Sequence, residues 1–514
     1  MRQNNYLYFD PNLQYPKEPT CSPSESYPEY PWPVDTISSH PNPVYTAIRK
    51  MFIEMGLDAE HTGTPDWNPL GEYISPGQTV VIKPNFVMHK NGSSQPDDME
   101  SLVTHPSIIR CILDYCIIAL HGRGALIVGD APVKDCNFKL LMENGGYQAV
   151  KNFFDSQDCS VRPRFVDFRG PEEEGGQYEQ SGHGVLVNLG RESYFYNCNH
   201  NWRKYRIPNY DYRKVRRHHC GERQEYLINS NILNADVIIS LPKPKTHRKN
   251  GYTGALKNFV GINYSKEYLP HHTKGAFDNG GDEYKVKTYE KALSSSLRAG
   301  IDILRTKADA HHRKASFCSP RSICQKYHSR IENHCHSMIN DLWSRYDRVL
   351  QKEKIRMDAI NAPKDLRMIE GSWHGNDTIW RTVLDLNIIA EFADRCGTLQ
   401  STPQRKLLFL GDLIVAGEKE GPMSPSPKAV HSLLFSEKAS SFDCILVKLM
   451  GFNWEKFVGL KNAVSSSRLG GFSYSEIEVL SNQEFLQGLL NTVDFHSHFD
   501  PFTAADGWKN YIEL

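Results

Sequence analysis

The sequence predicts an α/β fold: a mostly parallel sheet with crossover helices, plus one inserted helical segment. Three observations carry this. Thr79-Val80-Val81-Ile82-Lys83 is an apolar, β-branched run stopped by Pro84 and Asn85, and Ala125-Leu126-Ile127-Val128 is a second run leading into Gly129-Asp130. Between them Ile108, Ile109, Ile112, Cys116, Ile117 and Leu120 recur at helical spacing behind Pro106, a residue the first helical turn tolerates. Strand, helix and strand within ~50 residues make a βαβ unit, whose strands are parallel and whose crossover is right-handed.

The remaining elements follow in chain order. Residues 1–45 are rich in Pro, Ser and Tyr without sustained periodicity and read as an irregular arm. Val44, Ile48, Phe52 and Met55 mark a helix, which opens the first part of an α/β core spanning 46–284. Asp236–Leu241, stopped by Pro242, and Leu407–Leu410, stopped by Gly411-Asp412, read as further buried strands. Residues 285–360 are polar and basic with charges at helical spacing, and are expected to form a helical insertion or lid. The stretch 361–514 holds the second part of the core and a C-terminal tail. Residues 160–225, rich in Tyr, Arg and Asn, read as an antiparallel excursion or long loop. Asp377 is placed as N-cap of a helix burying Ile379, Val383, Leu386 and Ile389, with Trp373 and Arg381 beside it.

Composition narrows the function. Sixty basic residues balance sixty acidic ones in 514, so no global field invites nucleic acid or an anionic membrane, and any anion site must be local. Neither a secretory leader nor a run of ~18 apolar residues is present, and a cytoplasmic location is expected. The twelve cysteines are expected to be reduced. No Cys-x-x-Cys pair occurs, so no iron–sulfur cluster is expected. Cys318, Cys324, His328, His334, Cys335 and His336 cluster in sequence, but their spacings fit no standard zinc pattern and read as accidental.

In an open parallel sheet the ligand crevice lies beyond the carboxyl ends of the strands. All four runs end in polar residues: Lys83-Pro84-Asn85, Gly129-Asp130, Pro242-Lys243-Pro244-Lys245-Thr246-His247 and Gly411-Asp412. If they share a rim, three ammonium groups crowd there, and a bound phosphate or carboxylate is their natural neutraliser. Farther on, Gly251, Gly254 and Gly261 permit close backbone approach, and Lys257-Asn258 could open a helix as in a phosphate loop, although the Walker spacing is absent.

The segments VIKPNFV (81–87), THPSIIR (104–110), GDAP (129–132), ADVIISLPKPKTH (235–247), TGALKN (253–258), GDLIVAGEKEGP (411–422), and FD followed by LMGF (442–452) together resemble the DUF362 family. Many of its members carry a ferredoxin module, whose cysteine pattern does not occur in these residues. GSWHGNDTIWRTVLDLN (371–387) resembles members associated with bacterial biosynthetic gene clusters. A more distant similarity is to the nickel-pincer lactate racemases. His247 and Lys257 match that family's acid/base histidine and cofactor-bearing lysine in order and separation, and His271 or His272 lies near where its metal-binding histidine falls. That resemblance implies a metal or lysine-linked cofactor. Asp130 stands in the loop where the racemases have a second acid/base histidine, so shared fold with different chemistry is the favoured implication.

The leading functional expectation is an enzyme acting on a small anionic metabolite by proton transfer. His247, Lys257 and Asp130 are the catalytic candidates, and Lys83, Asn85, Lys243, Lys245, Thr246, Gly254 and Asn258 the binding candidates. The alternatives are a cofactor-dependent oxidoreductase, or a non-catalytic scaffold of a biosynthetic operon that docks a protein partner through 285–360.

Overall fold

A computed structural model of the chain describes residues 5–93, 95, 98–171 and 182–514. Part of the Tyr- and Arg-rich stretch, 172–181, lies outside these. The central sheet has eleven strands: β1 (Asn5–Phe9), β2 (Thr79–Pro84), β3 (Ala125–Asp130), β4 (Arg164–Asp167), β5 (Val237–Leu241), β6 (Lys245–His247), β7 (Gly251–Thr253), β8 (Lys406–Glu420), β9 (Ser424–Ser436), β10 (Glu478–Ser481) and β11 (Gly488–Leu489). Its parallel heart runs β4-β3-β2-β5-β8. From β2 the chain winds outward through β3 and β4, then returns to the other side of β2 as β5. The winding therefore reverses between β2 and β5, the position where open α/β sheets leave a crevice at their carboxyl ends.

Side chains alternate between the two faces, as the period of two requires. Val80, Ile82, Leu126, Val128, Val237 and Ile239 pack with α1 (Pro43–Glu54) and α2 (Pro106–Leu120) on one side. Val81, Ile127, Ile238 and Phe409 pack with α6 (Ile379–Phe392) and α7 (Ala439–Leu449) on the other. Both faces of the parallel strands are covered, which explains why these strands are continuous apolar runs in the sequence.

Two elements depart from the sequence reading. Gly411-Asp412 does not stop its strand: β8 continues to Glu420 because it pairs antiparallel with β9, with a register shift between Leu413 and Val415. Gly411 fits because a Cβ there would lie 2.4 Å from the Phe442 ring. The N-terminal arm is mostly irregular but contributes β1, laid antiparallel on β9.

The inserted segment is a helical hairpin of α4 (Tyr289–Phe317) and α5 (Ile323–Ala359), capped by Thr288 and Ser322. Its own small core is Ile301, Ile339 and Tyr346, flanked by Leu297, Leu304, Leu342 and Trp343. The cap of α6 differs from expectation. Asn376 Oδ1 accepts the N–H groups of Thr378 and Ile379, each at 3.0 Å, while Asp377 instead binds Trp380 Nε1, His200 Nε2 and Arg381 Nη2, each at 2.8 Å. Those cationic and polar neighbours hold the Asp377 carboxyl down at about 2 against the opposing effect of its burial. Among the described residues, no helix is long and apolar enough to cross a membrane.

Candidate active site

The strand ends bring the lysine-rich loops together, and two of the lysines, Lys83 and Lys243, each meet a carboxylate there. Lys83, fully buried at the end of β2, lies 2.8 Å from Asp130 Oδ1 and donates to the Pro84 carbonyl at 2.7 Å. Asp130 also accepts the backbone N–H groups of Phe86 (2.6 Å) and Ala131 (2.8 Å). Lys243 pairs with Asp412 at 3.0 Å and donates to the Tyr15 hydroxyl at 2.6 Å. Burial pushes both lysines below the ordinary lysine range, and the facing carboxylates oppose that push.

Lys245 has no carboxylate partner. It donates to Asn85 Oδ1 at 2.6 Å and to the Lys243 carbonyl at 2.9 Å, and burial with Lys243 nearby drives its pKa well down. Two acceptors suit a neutral amine, which has two N–H groups. Asn258 completes the cluster: its Nδ2 donates to the Lys83 carbonyl (3.1 Å) and Ser240 Oγ (2.9 Å), while its Oδ1 accepts from Asn85 Nδ2 at 3.1 Å. The Thr246 hydroxyl donates to the Lys419 carbonyl at 2.7 Å. Within the protein, Asp130 and Asp412 face Lys83 and Lys243, and amide and carbonyl oxygens receive Lys245.

Two of the glycines make room for carboxylates of the protein, while Gly251, at positive φ, faces the Phe457 and Trp508 rings. A Cβ on Gly261 would lie 1.7 Å from Asp130 Oδ1 and 2.8 Å from Lys83 Nζ, and one on Gly254 would lie 2.1 Å from Asp443 Oδ1. Asp443 accepts the N–H groups of Ala255 (2.6 Å) and Leu256 (3.2 Å), which anchors the short helix α3 (Ala255–Asn258) that carries Lys257. Close backbone approach at these two positions is to the buried carboxylates of Asp443 and Asp130.

In front of this cluster lie two adjoining cavities. The inner one, about 90 Å3, is lined by Asn85, Asp130, Thr253, Asn258 and Gly261; the outer one, about 240 Å3, by Lys134, Asn209, Tyr210, Arg248, Lys249 and His271. His247, Lys257, Val260, Lys266, Val133 and Pro422 line both. Asp130 and His247, on separate strand ends, therefore share one wall system. The Lys257 ammonium makes no hydrogen bond or ion pair with any described residue, and burial, reinforced by Lys266 and Lys249, pushes its pKa down to about 7.

Two imidazoles line the outer cavity with it and have opposite character. His247 Nδ1 accepts the N–H groups of Lys249 (3.0 Å) and Asn250 (3.1 Å) in the turn of its own β6–β7 hairpin, so the proton resides on Nε2. His271 Nδ1 instead lies 2.8 Å from the Leu269 carbonyl and must donate, leaving Nε2 as a lone pair. Burial and neighbouring cations hold both pKa values well below the ordinary histidine value. His272 is directed elsewhere, with Nε2 3.8 Å from Glu283.

Sequence reasoning missed Lys134, Asn209, Tyr210 and Lys266 in the cleft wall. The α4 helix is tied to the wall of the outer cavity, by Asp309 to Lys134, by Arg305 to Asp135 and by Arg298 to Asn209 at 2.6 Å. A larger cavity of about 380 Å3 sits at the amino end of β8; in its wall Arg405 donates to four backbone carbonyls and Glu391 pairs with Lys438 at 3.2 Å.

Neither the curated proteins nor the solved structures returned a match. A family model described as a domain of unknown function, DUF362, matches residues 80–448, a span that begins in β2, ends in α7 and takes in every residue around Lys257 described above. Matching more than half of the chain, it establishes that the protein belongs to the DUF362 family.

Proposed function

We propose that the cleft is the active site of an enzyme that moves a proton on a small carboxylate- or phosphate-bearing metabolite, in the manner of an isomerase or racemase, within a cytoplasmic biosynthetic pathway. The observation that carries this reading is Lys257: an amine without a partner among the described residues, with a pKa of about 7, sharing the outer cavity with one histidine whose proton is on Nε2 and one whose Nε2 is a lone pair. Groups whose surroundings push them to opposite proton-transfer roles are the recognisable acid and base of such chemistry. Lys249, Lys266 and the exposed Arg248 give the cleft wall a positive balance suited to the substrate's anion, while Asp130 is engaged by Lys83. Lys83, Lys243, Lys245, Asn85, Thr246, Gly254 and Asn258 then act behind the cleft, holding its floor. A lysine-borne cofactor is the second reading, favoured by the same unpartnered amine.

The test is incubation with a panel of carboxylate and phosphate metabolites in D2O, followed by proton NMR. Loss of a C–H signal with wild type, and its retention with Lys257→Ala, is the expected result. No exchange with any member, together with no binding by calorimetry, overturns the proposal. An adduct on Lys257 in the intact mass would establish the second reading.

A further inference from the structure

The tip of the α4–α5 hairpin gathers residues that the cleft does not use. The chain leaves α4 at Phe317 and enters α5 at Ile323, so Cys318 and Cys324 face each other across the turn, with Cα atoms 5.9 Å apart and their sulfurs joined as a disulfide. The expectation that all cysteines are thiols is corrected here, because the turn brings this pair within bridging range. His328 lies one helical turn after Cys324 and on the same face. Ligand atoms of Cys318, Cys324 and His328 all lie within 4.8 Å of one another. The Nδ1 atoms of His311 on α4 and His328 on α5 are 2.9 Å apart, so one ring must donate and the other accept. His334, Cys335 and His336, grouped with them in the sequence, are not part of this constellation.

We propose that, in the reduced protein, Cys318, Cys324 and His328 bind a zinc ion, with His311 as the outer partner that fixes the His328 ring. Two soft thiolates and an imidazole are a zinc donor set, and such ligands sit ~2.0–2.3 Å from the metal, a spacing this cluster reaches with small side-chain rotations. The fourth position falls to water. A dithiol first cleaves the disulfide and is itself oxidised, delivering two electrons and two protons to the sulfurs; zinc then displaces both thiol protons. The hairpin gives the site a purpose. Its apolar cluster is confined to Ile301, Ile339, Tyr346 and their neighbours, whereas Phe317 and Ile323 at the tip are 90% and 88% exposed. A cross-link at the tip joins two long helices where packing does not, and structural zinc contributes folding energy directly.

The experiment uses the full chain, reduced with dithiothreitol, loaded with zinc, gel-filtered without oxygen and measured by mass spectrometry of the metal. One zinc per chain is expected, falling to background in Cys324→Ser and in His328→Ala but unchanged in His334→Ala. His311→Ala should weaken binding by ~10–100-fold without abolishing it. Cobalt in place of zinc should show the intense visible bands of tetrahedral thiolate coordination in the wild type, a readout that does not depend on any variant folding. Zinc-free reduced protein, cobalt with only weak octahedral absorption, or full zinc retention by Cys318→Ser/Cys324→Ser would each overturn the site.

Discussion

Lys83 and Asp130 meet at 2.8 Å across the adjacent carboxyl ends of β2 and β3, where neither has appreciable contact with solvent. The pair closes the inner wall of the cleft, and breaking it leaves a buried charge uncompensated. Asp130→Asn and Lys83→Met should each lower stability by ~3–5 kcal/mol, while the double replacement Lys83→Met/Asp130→Leu recovers much of that loss. Denaturant titration measures all three. A stable Asp130→Asn that lacks only activity would instead return Asp130 to the role of proton carrier that its place at the end of β3 suggests.

Gly261→Ala tests the same wall from the other side. Its Cβ would lie 1.7 Å from Asp130 Oδ1, so the carboxylate must leave either Lys83 or the backbone N–H of Ala131. A loss of roughly 1–3 kcal/mol is expected, as for other overpacked interiors. A melting temperature equal to wild type would show that the wall can yield.

The strands were legible because burial on both faces writes a continuous apolar run, and the rim because each run ends abruptly in a polar residue. What was not legible is which lysine has a carboxylate opposite it. Asp412 reaches Lys243 only because β8 runs on beyond Gly411, and Asp443, which positions Lys257, lies 186 residues after it in sequence. Long-range pairing of this kind leaves no local period. The same holds for His271 and His272, adjacent in sequence and indistinguishable until one faces the cleft and the other Glu283.

His247 and His271 make the pH response of the fold predictable in sign. Both have pKa values held below that of the unfolded chain, so the unfolded state binds more protons and stability falls as pH drops below about 6.5. His247→Gln should flatten the slope below about pH 6.5, measured by denaturation at a series of pH values. A slope identical to wild type would show that the ring is freely protonated in the folded protein, and the fixed tautomer would be lost with it.

Lys257 separates catalytic from structural readings most sharply. Its folded pKa of about 7 lies below the unfolded lysine value of about 10.4, so the unfolded state again binds more protons in that window. Stability rises with pH from about 7 to about 10.4, and below 7 the full cost of a charged, half-buried ammonium among other cations is present. Lys257→Met removes that cost. It should therefore be more stable than wild type at pH 6, on the order of 1 kcal/mol after discounting for solvent in the cleft, with the difference vanishing toward pH 10. Catalysis should respond oppositely. If the neutral amine is the working form, kcat/KM rises through an acid limb near pH 7 in the wild type, because that profile reports the free enzyme. Lys257→Arg, charged throughout and planar, should bind the anion but show no turnover at any pH. A variant that is stabilised yet inactive identifies a residue kept for chemistry at the expense of the fold. If Lys257→Met is instead destabilised by several kcal/mol and the acid limb persists in it, the amine supports the structure and the proton carrier must be sought among the histidines.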